Sequence, residues 1–327
     1  MDAKVRLLTR TDVERLLDMR TCIAAVEDAF RRHADAPSGV LGVHAGKGGF
    51  HVKAAILDLT RPYFVAKVNA NFPGNPSERS LPTIQGVLVL FDASNGMPLA
   101  IMDSMAITTL RTAAASAVAA SFLARRDADL ALFIGCGVQA RAHMAAMAFV
   151  RPLRRALVYD IDVRKAQRFT EEMRDIHEFD VIVARDLAEA SRASAIIVTC
   201  TPSTRAYLGV SHVLPGTFVA AVGADNHDKQ EIETGLLKRS AIVVDDLDQC
   251  ASIGDLHHAI DLGVLVRRDV RATLGEVVTG VKRGRTDDDE IIVFDSTGVA
   301  IEDVAAAAVT YERAVEAHVG LEVKLAS

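Results

Sequence analysis

The hydrophobic pattern of this chain changes period twice. Between residues 12 and 34, Val13, Leu16, Leu17, Met19, Ile23, Val26 and Phe30 recur at near-helical spacing, which predicts a helix. Beyond Pro37 the apolar residues fall into short runs. VLGVH and FHVKAAIL, joined by the glycine-rich AGKGG, predict two strands and a turn, and YFVAKVNANF at 63–72 predicts a third strand. IQGVLVLFD and MPLAIMD flank the dipeptide Asn95-Gly96, a pair that suits a type I′ hairpin turn. Short strands without intervening helices predict a mostly antiparallel sheet over about 38–103.

From residue 107 the helical period returns in ITTLRTAAASAVAASFLARR, a long helix of small residues. Then ALFI, RALVYDID, VIVA (181–184), AIIVTCT (195–201), TFVAAVGA (217–224) and AIVVDD (241–246) form apolar runs separated by helical stretches. Strands alternating with helices predict a parallel, doubly wound sheet. IIVFDSTG (291–298) precedes an alanine-rich helix expected to pack back on the N-terminal domain.

Composition narrows the functional class. A chain of 327 residues exceeds one core of typical size and predicts two domains. The formal net charge of -6 argues against a nucleic-acid or anionic-membrane partner, both of which favour a basic face. The first 17 residues carry scattered charges and no apolar core of a signal peptide. The longest weakly polar run, 113–124, is short for a bilayer span, and a cytoplasmic location is expected. Cys22, Cys136, Cys200 and Cys250 lie far apart with no metal-ligand spacing, so they are expected to pack as small hydrophobes, and no metal is assigned.

Gly135-Cys136-Gly137-Val138-Gln139-Ala140 follows the strand ALFI and opens a helix. Gly135 permits a tight turn, Gly137 lets the backbone approach a pyrophosphate, and Ala140 is small enough for helix and strand to pack. Amides at a helix N-terminus then face the phosphate charge. Asp160 follows 20 residues after Ala140, where a carboxylate accepts hydrogen bonds from the adenosine ribose. That carboxylate would repel a 2′-phosphate, so NAD(H) is expected over NADP(H), with Arg164 close enough to temper the preference. The predicted fold is therefore α/β: a Rossmann doubly wound parallel sheet at 116–304, plus a mixed, largely antiparallel α+β substrate-binding and dimerisation domain at 1–115 with 305–327.

With that motif placed, the chain resembles the ornithine cyclodeaminase/mu-crystallin family. AKVNANFPGN (66–75), LPTIQGVLVLFDASNGMPLAIMD (81–103), ITTLRTAAASAVAA (107–120), FIGCGVQA (133–140), VGADNHDKQEI (222–232) and FDSTG (294–298) carry the resemblance. It implies a homodimer and NAD(P)-linked chemistry at the α-carbon of an amino acid. Activities in the family include ornithine cyclisation, alanine dehydrogenation, and reduction of cyclic ketimines or of iminosuccinate; mu-crystallin is also a binding protein. By position, the resemblance implies that Lys67 and Arg111 hold the α-carboxylate, with Thr297 also at the substrate, and that Asp225 and Lys67 are catalytic. It also implies that Thr83, Arg111, Gly135, Gly137, Val138, Gln139, Asp160, Thr201, Val222, Gly223, Asp225, Lys229 and Ser296 line the cofactor site.

The residues themselves allow other readings. Lys67 shares a strand face with Val65 and Asn69, which suits an anion ligand or an edge-strand gatekeeper. Arg111 near the start of a helix opposes the helix dipole, so it needs another reason to be there: a bidentate carboxylate clamp, or an interdomain ion pair. Asp225 ends a strand where α/β sheets bind ligands, and a nearby carboxylate stabilises an iminium; a helix cap or turn residue is the alternative. Cys200, His257 and His258 are read as packing or surface residues.

One departure bears on the substrate. Relatives often place an arginine on the first N-terminal strand, and residues 37–50 contain none. His51 and Lys53 lie on one face of the next strand. A turn centred on Lys47-Gly48 would set His44 opposite His51 and Gly42 opposite Lys53. Lys53, His51 and His44 then add more positive charge than one carboxylate needs, and buried cations are costly unless paired. A dicarboxylic imine, iminosuccinate reduced to L-aspartate, is the substrate this counting favours. Alanine dehydrogenase, cyclic-ketimine reductase, ornithine cyclodeaminase and a binding protein without turnover are the alternatives.

Overall fold

Two periodicities divide the chain into two units, Met1–Thr112 with Val299–Ser327, and Ala113–Gly298. The computed structural model describes residues 4–32 and 36–325. In chain order the elements begin with β1 (Lys4–Leu8), α1 (Arg10–Leu16), α2 (Met19–Arg32), β2 (Ser38–Ala45), β3 (Gly48–Asp58) and β4 (Pro62–Asn71). Next come α3 (Asn75–Glu78), β5 (Ile84–Asp92), β6 (Met97–Asp103), α4 (Ser104–Leu123), β7 (Leu130–Ile134), α5 (Val138–Val150) and β8 (Arg155–Tyr159). Then follow α6 (Val163–Arg174), β9 (Asp180–Val183), α7 (Leu187–Ala193), β10 (Ile196–Thr199), β11 (Thr204–Leu208), β12 (Phe218–Ala221) and β13 (Gln230–Ile232). The chain closes with α8 (Thr234–Arg239), β14 (Ala241–Val244), α9 (Leu247–Ile253), α10 (Asp255–Asp261), β15 (Ala272–Thr273), α11 (Leu274–Val278), β16 (Ile292–Asp295), α12 (Ala300–Glu316) and β17 (Leu321–Lys324).

The first unit is a seven-stranded sheet in the order β17-β1-β6-β5-β4-β3-β2, antiparallel except between β1 and β6. Alternation gives it two unlike faces. Tyr63, Val65, Leu88 and Leu90 are buried on the face packed against α12, which also packs on α2. Leu41, Val43, Phe50, Val68 and Val87 stand exposed on the opposite face. The alanine-rich helix therefore does pack back on the N-terminal elements, because its small side chains let it lie close to the sheet. The helix expected over 12–34 is two helices, since the Asp18 carboxylate accepts from Thr21 N–H at 2.8 Å and restarts the ladder as a cap. Residues 33 and 34 of that expectation lie outside the described residues.

Three further expectations about this unit are corrected. The β2–β3 turn centres on Gly46 and Lys47, with Gly46 at φ +60, so His44 pairs with Gly49, His51 with Gly42, and Lys53 with Val40. The β5–β6 connection spans the four residues 93–96; Gly96 takes the left-handed conformation at φ +76 while Asn95 keeps negative φ, so it is not a type I′ turn. Helix α4 starts at Ser104, which places Arg111 in its third turn and removes the dipole argument. Every residue from Arg111 to Ala120 is buried. The helix is long and apolar enough to cross a bilayer by composition, but its small residues instead serve close packing inside protein.

The second unit is an eight-stranded parallel sheet, β15-β14-β16-β12-β10-β7-β8-β9, with a separate parallel pair, β11-β13. Successive strands run outward from β7 through β8 and β9, then return to its other side at β10. That reversal makes β7/β10 a topological switch point, and ligands of such sheets bind outside the carboxyl ends of the strands there. Gly135, Thr201, Gly223 and Ser296 all follow strands at that end.

Candidate functional site

In the first unit β4 is an interior strand, so the gatekeeper reading of Lys67 fails. Lys67 is 3 % exposed, and its Nζ lies 2.7 Å from Asp303 Oδ2 and 2.8 Å from Oδ1. Arg111 donates from Nε to Asp303 Oδ1 at 3.0 Å and from Nη1 to Glu302 Oε2 at 2.7 Å. Glu302 and Asp303, both fully buried, sit in the first turn of α12, where carboxylates complement the helix dipole. Arg111 is thus ion-paired inside its own unit, not across an interdomain boundary. Lys53 stands directly opposite Lys67 in the β3–β4 register. Burial, then the positive charges of Arg111 and Lys53, push the Lys67 ammonium down to about 7 against the pull of Asp303. Burial alone would raise Asp303, but Arg111 and Lys67 hold it below the ordinary carboxylate range.

His44 and His51 share the Lys53 face but are exposed, His44 on the edge strand. The Thr83 carbonyl accepts from Phe72 N–H at 2.8 Å. Sequence reasoning missed Glu302 and Asp303. Their signal was two adjacent acids in an otherwise apolar run, GVAIEDVAAAA, a pattern that demands cationic partners once buried.

In the second unit Gly135 has φ +95, and a Cβ there would meet the Cys200 carbonyl at 2.9 Å; only glycine makes this turn. Gly137 caps α5 and opens onto empty space, with nothing within 4 Å of where a Cβ would lie. Val138 is exposed, and Gln139 Oε1 is buried with no hydrogen-bond partner. An open glycine cradle at the N-terminus of a 13-residue helix, where backbone N–H groups point outward, fits a dinucleotide pyrophosphate. The Asp160 carboxylate accepts from Cys136 N–H at 2.9 Å and Asp162 N–H at 3.0 Å. Its ionic partner is Lys165, at 2.8 Å, whereas Arg164 donates its backbone N–H to Asp162. Burial would raise Asp160, but Lys165 and those amides hold it below the ordinary range.

Asp225 is an exposed loop residue, four beyond the end of β12, and its carboxylate pairs with Lys229 at 2.7 Å; it caps no helix. Val222 N–H donates to the Thr199 carbonyl at 3.0 Å. Ser296 and Thr297 are buried and directed at Asp245, which accepts from Ser296 Oγ at 3.0 Å and Gly298 N–H at 2.6 Å. Cys200 is half-buried with its thiol on the Ile134 and Gly135 carbonyls. His257 is buried and packs its ring 3.7 Å from that of His258. The structure thus gathers Lys53, Lys67 and Arg111 on one face of the first unit. Gly135 to Gln139, Asp160, Thr201, Val222, Gly223 and Ser296 gather at the carboxyl ends of the second.

Comparison with known proteins finds relatives that match both units. An archaeal alanine dehydrogenase dimer with bound NAD superposes with a TM-score of 0.94 at 38% identity, over 99% of this chain and 100% of that one. The Δ1-pyrroline-2-carboxylate reductase of Thermococcus litoralis, solved with NADH and L-proline, superposes with a TM-score of 0.92 at 34% identity, over 98% and 100%. The iminosuccinate reductase of Paracoccus denitrificans is 33% identical over 85% of this chain and 83% of its own. Residues 3–318 match a single family across both units, and the chain belongs to the ornithine cyclodeaminase/mu-crystallin family.

Proposed function

We propose that the protein is an NADH-dependent reductase of α-imino acids, which in the opposite direction is an L-amino-acid dehydrogenase. The observation that carries this reading is the buried Lys67–Arg111 pair held on Asp303, in a chain whose other unit carries the glycine turn and Asp160. Two cations fixed on one carboxylate form a stiff, donor-rich anchor for a substrate α-carboxylate. An arriving anion favours the charged form of Lys67, offsetting the burial that holds its pKa near 7. Gly135, Gly137, Val138 and Gln139 would hold the pyrophosphate of NAD(H), and Asp160 the ribose. Thr83, Arg111, Thr201, Val222, Gly223, Lys229 and Ser296 would line the rest, with Thr297 at the substrate. NAD(H), when bound, supplies or accepts the hydride. Asp225 holds the proton at the substrate nitrogen, where a carboxylate favours the iminium over the neutral imine.

The substrate we favour has one carboxylate: the imine of pyruvate, or a cyclic imine. Of the three groups counted as surplus charge, His44 and His51 are exposed and only Lys53 stands beside Lys67, which weakens the case for a second substrate carboxylate. The alanine dehydrogenase and pyrroline-2-carboxylate reductase relatives support the same reading. Iminosuccinate, reduced to L-aspartate, is the second reading, favoured by Lys53 opposite Lys67. NADH oxidation with ammonia plus pyruvate, ammonia plus oxaloacetate, and a cyclic ketimine separates them. We expect the monocarboxylic imines to be preferred. A preference for the diacid that collapses in Lys53→Met would establish the second reading, and no NADH binding or oxidation at all would overturn both.

A homodimer belongs to the same proposal. The exposed apolar sheet face around Val43, Phe50, Val68 and Val87 suits a second copy of the chain, and the archaeal relative is a dimer. Light scattering at micromolar concentration is expected to give twice the 35.1 kDa chain mass, and a monomer there would refute it.

A further inference from the structure

We propose that Glu231 is a positioning residue for the cofactor, fixing the loops after β10 and β12 through a single carboxylate. The proposal rests on the reading of these loops as part of the NAD(H) site. Glu231 is fully buried. Its Oε1 accepts from Thr201 N–H, Thr201 Oγ1 and Tyr207 Oη, each at 2.7 Å. Its Oε2 accepts from Thr199 Oγ1 at 2.6 Å and Gly223 N–H at 2.8 Å. One side chain thus ties the end of β10 to the end of β12, the two loops that carry Thr201, Val222 and Asp225.

The fit leaves no room for a substitute at Gly223. A Cβ there would lie 2.5 Å from the Glu231 carboxylate and 2.3 Å from the Thr201 carbonyl. Glu231 is itself aimed from behind, because Asp255 Oδ1 accepts from the backbone N–H of Glu231 at 2.8 Å and of Ile232 at 2.9 Å. The carboxylate also sets hydrogen-bond polarity. Thr201 commits its hydroxyl proton to Glu231, so it can offer a ligand only an acceptor, matched to a donor such as a carboxamide N–H.

Glu231→Gln keeps the shape but turns one of the two acceptor oxygens into a donor. Whichever way the amide faces, it confronts a backbone N–H, from Thr201 or from Gly223, and releases one loop. E231Q is expected to weaken NADH binding at least about tenfold by fluorescence titration, as for one buried donor left unsatisfied. Its kcat should fall with it, while the KM for the imino acid, set by Lys67 and Arg111, stays unchanged. A purely structural role would instead lower the melting temperature and the yield of active protein, leaving NADH affinity and kcat per active site untouched. Should E231Q be insoluble, Thr199→Val decides, since it removes one of the five donors at nearly constant volume and should weaken NADH about threefold. Wild-type NADH affinity and kcat in soluble E231Q overturn the proposal, as they do in Thr199→Val when E231Q yields no soluble protein. A wild-type protein that binds no NADH would overturn the cofactor reading itself, a result distinguishable from loss confined to the variants.

Discussion

Both units bury carboxylates completely, but they compensate them differently. In the first, Asp303 and Glu302 are matched by the cations of Lys67 and Arg111. In the second, Glu231, Asp245, Asp255 and Asp295 are matched by backbone N–H groups and hydroxyls, and among the described residues none of the four has a cation as ion-pair partner. The contrast separates two jobs. An ion pair can be shared with an arriving carboxylate, because a cation can hold two anions at once. Backbone amides serve one partner in one geometry, so they suit loops that must stay put. The titration shifts follow: burial and like charge push Lys67 down to about 7, whereas burial and the Glu231 charge push Asp255 up to about 7.

The largest expected effect sharpens the contrast from within the second unit. Asp225, exposed and outside the buried network, is the carboxylate there assigned to chemistry. Asp225→Ala should lower turnover by roughly 10²–10⁴-fold, with NADH binding and melting temperature nearly unchanged. Turnover like wild type would reduce it to a loop residue.

Removing one buried carboxylate from each unit tests the contrast directly. Asp303→Asn strips a counter-charge from both Lys67 and Arg111 and should cost about 3–5 kcal/mol in urea unfolding, as for an ion pair broken on one side. Asp255→Asn keeps an oxygen for the Glu231 and Ile232 amides and removes a group that resists ionisation. Its cost should stay below about 1 kcal/mol. Equal costs would erase the distinction.

The pH dependence of stability gives opposite slopes in adjoining windows. Asp255 has a folded pKa raised from 3.8 to about 7, so its contribution is fully present below 3.8 and is lost as pH rises toward 7. Lys67 has a folded pKa lowered from 10.5 to about 7. The unfolded chain binds the extra proton between those values, and stability rises with pH across that window. Each shift corresponds to at most about 5 kcal/mol. Asp255→Asn should flatten the fall below pH 7 and Lys67→Met the rise above it. Comparing each variant with wild type isolates its group from His143, whose lowered pKa of about 4 acts with the opposite sign in the acid window. Unchanged profiles in both variants would refute the assignment.

The smallest effect concerns cofactor choice. Asp160 favours NADH, but Lys165 lies on its carboxylate and offers a 2′-phosphate some compensation. Lys165→Met should widen the NADH preference by up to about fivefold, the reach of a partly exposed ion pair. An unchanged ratio of dissociation constants would remove Lys165 from the selectivity.

Much of the site could be read from the chain because its signals are local. Gly135-x-Gly137 between a strand and a helix, with an acid near the end of the next strand, is set by backbone conformation and sequence spacing. So are the period-two runs of β3, β4 and β5 and the alternation of strand and helix beyond residue 130. Strand β1 and the edge strand β17 left no such signal, since each is short and finds its partners far along the chain. The β2–β3 register was missed by one residue in the turn, where several glycines allow more than one centre and only the whole ladder selects.

What the sequence by itself determined was the glycine turn with Asp160, the alternation of strand and helix beyond residue 130, and the candidacy of Lys67, Arg111 and Asp225 for the site. Tertiary structure alone decided how their charges are met. Nothing near Lys67 in the chain announces Asp303, 236 residues away, and nothing near Thr201 announces that Glu231 orients its hydroxyl. Burial creates the demand for compensation, and folding supplies the compensating group from wherever the chain returns. The sign and surplus of charge at a site therefore belong to the fold, and counting cations along a strand overstates what is left for a ligand.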